Sequence, residues 1–207
     1  MFLFKYLKGK RGMTLIEVLT AVAVTVVIMV AVSAFQYNVI NYNRSTSVSL
    51  TNTQEAQALL KVMAKELRGS SPSENGSYPI AAAATSTLTF FSDIDADGFV
   101  DQVRYYLATT TLYRGIVKPT GSPLSYVQSN ENKNIIATGI RNSSSTPIFK
   151  YFSGTYTGTS TPMTYPLNIP SIRLININIT IDTDTKKSPI PRTFSTQATL
   201  RNLKDNI

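Results

Sequence analysis

The chain has 207 residues, with 20 Lys and Arg against 12 Asp and Glu for a net charge of +8, and it contains no Cys, His or Trp. Those absences exclude a thiolate nucleophile, a Ser-His-Asp triad, a zinc site of the usual ligands and a disulfide framework, so an enzyme is not expected. With 43% hydrophobic residues, the length suits one domain that closes a core without staples.

The basic excess is concentrated at the start. Lys5, Lys8, Lys10 and Arg11 stand in the first 12 residues with no acidic residue among them, and without those four cations the net charge falls from +8 to +4. That remainder is too scattered to indicate nucleic-acid binding. From Val18 to Asn43 no residue is charged, and the run Val18–Phe35 is apolar on every side rather than striped. A helix of about 20 residues, rising about 1.5 Å each, spans the roughly 30 Å of a bilayer core. With the cations ahead of it, residues 1–12 are expected on the cytoplasmic side and the rest of the chain beyond the membrane.

Glu17 lies inside this apolar stretch, where an ionised carboxylate costs about 2.5 to 3.5 kcal/mol on insertion scales unless it meets a partner. Cleavage between Gly12 and Met13 would create an α-amino group four residues earlier on the same helical face. The segment Lys10-Arg11-Gly12-Met13-Thr14-Leu15-Ile16-Glu17-Val18-Leu19 closely resembles the cleavage and methylation signal of type IV prepilins and type II secretion pseudopilins, with Met13 standing where Phe is usual. The resemblance implies that a prepilin peptidase cuts after Gly12 and N-methylates Met13. It further implies that the retained helix assembles with other pilin or pseudopilin subunits on an inner-membrane platform, with Glu17 meeting a neighbour's amine. Two other readings stand beside it. One is a secretory signal peptide cut near Ala31-Val32-Ser33 or Val32-Ser33-Ala34, for which the apolar run is too long. The other is a plain signal anchor, which gives Gly12 and Glu17 no role.

Farther along, Ala56, Leu59, Leu60, Met63 and Leu67 recur at the spacing of one helical face, and Gly69 to Pro72 supply a stop. Residues 41–53, rich in Asn, Ser and Thr, have poor helix propensity and allow a bend, whereas the resemblance implies one helix through residue 68. After Pro72 the pattern turns to short β-branched and aromatic runs, predicting strands over Thr87–Phe91, Gln102–Ala108, Thr111–Val117, Ile135–Ile140, Ile148–Phe152, Ile172–Ile181 and Thr193–Leu203. Strict alternation from Ile175 to Ile181 predicts a sheet with one face on the helix. Long loops are expected at Ser153–Pro166 and Asp182–Arg192. The fold class expected is therefore α+β: a cytoplasmic leader (1–12), a transmembrane and assembly helix (13–35), its amphipathic continuation (36–68) and an antiparallel β-rich head (72–207). The order Val103-Arg104-Tyr105-Tyr106-Leu107, Leu112-Tyr113-Arg114 and Leu200-Arg201-Asn202 resembles that of the larger PilW-like minor pilins and J-type pseudopilins.

Asp93-Ile94-Asp95-Ala96-Asp97-Gly98-Phe99-Val100-Asp101 matches the first half of a calcium loop, with carboxylates at positions 1, 3, 5 and 9 and Gly at 6. The twelfth position is Arg104 rather than a bidentate Glu, so a plain Asp/Gly hairpin turn is the competing reading. If Asp93, Asp95, Asp97 and Asp101 do bind Ca2+, the affinity belongs to the weak extracellular range of about 10⁻⁴ to 10⁻³ M, and no other cofactor is expected. The functional expectation is a structural subunit of a type IV pilus or secretion fibre, in a minor position because 195 residues remain once 12 of the 207 are removed. The alternative is a secreted or membrane-anchored adhesin, DNA-uptake or other ligand-binding module, open to stabilisation by calcium, that binds through loops 119–134 and 153–168.

Overall fold

The computed structural model describes residues 12–182 and 191–200. The basic leader through Arg11, most of the loop expected at 182–192 and the chain after Leu200, including Arg201 and Asn202, lie outside the described residues. One helix, α1 (Leu15–Arg68, 54 residues), runs through the boundary between two compact units, the first ending at Ser47 and the second beginning at Val48.

In the first unit the side chains stand almost wholly exposed, including Val22, Val26, Val27, Ile28, Met29 and Val30. This helix is long and apolar enough to cross a membrane. The three hydroxyls of the Val18–Phe35 run are bonded back onto the helix itself: Thr20 Oγ1 donates to the Glu17 carbonyl at 3.0 Å, Thr25 to Ala21 at 2.7 Å and Ser33 to Met29 at 2.8 Å. Satisfying each hydroxyl within its own turn leaves an apolar outer surface, as hydrocarbon requires.

The second unit packs the end of α1 on two antiparallel sheets. The buried stripe is Ala56, Leu60, Met63, Ala64 and Leu67, with Leu59 at its margin. Gly69 ends the helix, its N–H donating to the Lys65 and Glu66 carbonyls. The first sheet has the order β1 (Ile80–Ala83), β2 (Thr87–Ser92), β3 (Asp101–Ala108), β4 (Thr111–Val117), β5 (Asn132–Ala137). The second holds β6 (Phe149–Ser153), β7 (Ile172–Ile181) and β8 (Arg192–Thr199). In β7 the inward face is Ile175, Ile177 and Ile179, all fully buried, as the alternation predicts. These meet Leu88, Phe90, Val103, Tyr105, Phe149 and Tyr151 around the helical stripe in one core.

Helix α1 passes through residues 41–53 despite their poor propensity, as the one helix to residue 68 that the resemblance implies. Two strands depart from the expectations. Strand β1 was not foreseen, because Ile80-Ala81-Ala82-Ala83 lacks the β-branched signature; it is held by pairing with β2 through the register Ile80↔Phe90 and Ala83↔Leu88. Strand β5 lies three residues before the run expected at Ile135–Ile140. Gly139, at φ +72°, turns the chain out of the first sheet, and Ile140 instead bridges Ile181 of β7.

Candidate functional site

Gly12, Met13 and Thr14 precede the first turn of α1. Thr14 and Glu17 form a reciprocal cap: the Glu17 N–H donates to Thr14 Oγ1 at 3.3 Å, and the Thr14 N–H donates to Glu17 Oε2 at 3.5 Å. This is the Thr-x-x-Glu capping box, in which two otherwise orphaned amides of a helix terminus are satisfied by side chains. A carboxylate in the first turn also faces the positive end of the helix dipole. Glu17 thus has a local hydrogen-bond partner in Thr14. The spacing Thr14-Leu15-Ile16-Glu17 carries this signal in the sequence itself. At Gly12, a β-carbon would find nothing within 4 Å, so this chain's own packing makes no demand for glycine there.

The acidic turn closes the β2–β3 hairpin, with Ser92 opposite Asp101 in register. Asp93 is folded into the backbone, its Oδ1 accepting the Ala96 N–H at 2.8 Å and its Oδ2 the Gly98 N–H at 3.2 Å. Gly98 sits at φ +89°, where a side chain would be strained. Asp93, Asp95 and Asp97 bring one carboxylate oxygen each within 4.8 Å of the others. The Lys118 ammonium enters this group, 2.5 Å from Asp95 Oδ2 and 3.0 Å from Asp97 Oδ2. Asp97 is held below the ordinary carboxylate range by the Phe99 N–H first and then by Lys118. Asp101 stands apart from the three: it opens β3, is fully buried, and is pushed up to about 6 by burial and then by the negative charge of Asp95. The loop is fastened on both flanks, since the Val100 N–H donates to Glu74 Oε1 at 2.9 Å and Tyr126 OH donates to the Val100 carbonyl at 2.6 Å.

Two polar clusters escaped the sequence reading. On the helix, Glu66 lies off the apolar stripe, yet its side chain is only 10% exposed; it accepts hydrogen bonds from Tyr105 OH at 2.5 Å and from Arg114 of β4. Burial raises Glu66 above the ordinary carboxylate range even though Tyr105 and Arg114 both pull it down. On the sheet, Arg104 makes a two-pronged pair with Glu131, Nε to Oε1 at 2.7 Å and Nη2 to Oε2 at 2.6 Å, and Lys133 Nζ lies 3.5 Å away. Arg104, at the twelfth position of the acidic loop, is therefore committed elsewhere. Both clusters join residues far apart in the chain, and no local spacing announces them.

Residues 7–33 match the family model described as the prokaryotic N-terminal methylation motif. The matched stretch contains Gly12, Met13 and Glu17 and continues into the apolar part of α1. The motif, the long apolar helix and its packing on antiparallel sheets support a precursor similar to those of the type IV pilin and pseudopilin class. That class is structural rather than enzymatic, and its motif implies membrane anchoring, processing by a peptidase and assembly with other pilin subunits. No curated protein matches the chain.

Proposed function

We propose that this chain is a minor structural subunit of a type IV pilus or type II secretion-like fibre. Its N-terminus lies in the cytoplasm and its head beyond the membrane until it is drawn into the fibre. Prepilin peptidase cuts between Gly12 and Met13 and N-methylates Met13, and the released amine then pairs with Glu17 of a neighbouring subunit. The chain performs no catalysis of its own. The observation that carries this reading is the methylation motif running directly into an uninterrupted helix, with the Gly12–Met13 peptide left outside its first turn. A peptide outside the helical hydrogen-bond ladder is open to a protease, and the absence of a side chain at Gly12 allows close approach to the backbone.

Mass spectrometry of the membrane-extracted protein tests the first step: the expected amino terminus is N-methylated Met13. A start at Ala34 or Phe35 would establish a secretory signal instead, and an intact Met1 would leave an anchor. Glu17→Val tests the second step. It removes the insertion penalty, so membrane levels should equal wild type while the amount in sheared fibres falls sharply. Wild-type incorporation of Glu17→Val would overturn the pairing role.

A further inference from the structure

The β2–β3 loop concentrates more negative charge than the chain supplies cations to meet. Asp93, Asp95 and Asp97 converge within 4.8 Å, and of the cations among the described residues Lys118 pairs with this group, through Asp95 and Asp97. Convergent exposed carboxylates alone are common on protein surfaces. Here a fourth stands behind them: Asp101 is fully buried, and neither of its oxygens accepts a hydrogen bond among the described residues. Asp101 pairs with Ser92 in register where the loop returns to the sheet, and the charges that act on it are those of Asp95, Lys118, Asp97 and Asp93. Native proteins rarely leave a buried carboxylate without a partner, and a bound cation is one of the few remedies.

Four carboxylates against one ammonium leave a strong excess of hard oxygen donors, the chemistry that takes calcium rather than a soft metal. Their spacing is that of calcium-loop positions 1, 3, 5 and 9, where the ninth residue commonly reaches the ion through water, in keeping with Asp101 lying outside the close trio. We propose that the Asp93–Asp101 loop is a calcium-class divalent-cation site. Asp93, Asp95 and Asp97 are its ligands, Asp101 is the buried carboxylate supporting them, and Lys118 is the intrachain cation that the metal displaces. With Arg104 committed to Glu131, no bidentate ligand closes the site at position 12, which sets the affinity in the weak range of about 10⁻⁴ to 10⁻³ M.

The test is calcium chloride titration of the full chain in detergent micelles, followed by calorimetry and by melting temperature, with magnesium chloride as the comparison ion. Calcium is expected to bind in that range and raise the melting temperature, with magnesium weaker because it demands tighter octahedral geometry. Asp95→Asn combined with Asp97→Asn should abolish both effects, and Asp101→Asn should weaken binding about tenfold, as loss of a supporting carboxylate does. Lys118→Met should strengthen binding several-fold because the competing ammonium is gone. It also keeps the test sound if an Asp variant folds poorly, since it leaves every ligand in place. No heat and no melting shift at about 10 mM calcium, ten times the weak limit, would overturn the site. Undiminished binding by the double variant would overturn its location, and unchanged or weaker binding by Lys118→Met would overturn the displacement.

Discussion

Glu66 is the point at which α1 is keyed to the first sheet, and its removal can be worked through group by group. In Glu66→Ala, the hydroxyl of fully buried Tyr105 loses its acceptor, at a cost of about 1 to 3 kcal/mol. Arg114 loses its carboxylate, and breaking a buried pair costs about 3 to 5 kcal/mol. Its side chain is 23% exposed, so water recovers a good part of that, and the expected total is about 3 kcal/mol. At this chain length about 2 to 4 °C of melting temperature accompany each kcal/mol, so the midpoint should fall by about 6 to 12 °C. With no Trp and 11 Tyr, intrinsic tyrosine fluorescence of the detergent-solubilised protein follows the transition. The raised pKa of Glu66, with burial as its first cause, shows that desolvation is not fully offset by its partners. The combined Glu66→Met, Tyr105→Phe, Arg114→Met variant should therefore recover most of the loss, because a buried polar cluster replaced whole by apolar groups is often neutral. A loss under about 1 kcal/mol for Glu66→Ala, below even the lone Tyr105 cost, would refute the view that this cluster is dry and tightly coupled.

The same carboxylate makes a pH prediction of definite sign. Its folded pKa lies above the ordinary value of 4.5, so the pH-dependent part of its contribution is complete below that value and is lost as pH rises through the raised folded value. Glu131, lowered first by its hydrogen bond from Arg104, contributes stability above 4.5 and loses it as pH falls through its folded value. Urea titrations across pH should accordingly show Glu66→Gln removing part of the decline above that range and Glu131→Gln removing part of the acid decline. Gly115 should resist substitution for a reason unrelated to backbone freedom: it lies opposite Arg104, and a β-carbon there would approach Glu131 Cδ to 2.7 Å. Gly115→Ala should expel Glu131 from Arg104 and destabilise by about 1 to 2 kcal/mol in chemical unfolding; in the Glu131→Ala background the penalty should largely vanish.

Legibility in the sequence tracked the range of the interactions. Periodicity located the stripe Ala56–Leu67 and the alternation of β7 because both are properties of consecutive residues facing one core. Composition failed at β1, where three alanines form a strand only because β2 offers an open edge, and at β5, whose start is set by Asn132, Lys133 and Asn134 pairing with β4. At the acidic turn the spacing correctly implied convergence of Asp93, Asp95 and Asp97, but it could not distinguish these from Asp101, because membership of β3 rather than the loop decides burial. The cap at Thr14 and Glu17 was fully local and hence legible; the apolar setting drew attention to charge instead of hydrogen bonding. Glu66 and Arg104 find partners 27 to 48 residues away, beyond any local pattern.

The strand order carries a consequence for how the head reaches its native state. Among the described residues every pairing of strands joins sequence neighbours, β1 through β5 in one run and β6 through β8 in another, all antiparallel. Each hairpin can zip as soon as its second strand emerges, so loop-closure entropy stays small and no strand waits for a distant partner. Under the proposed topology, with the head exported across the membrane, this permits acquisition of structure from the amino to the carboxyl end during export. With no cysteine in the chain, that process is also independent of any oxidant.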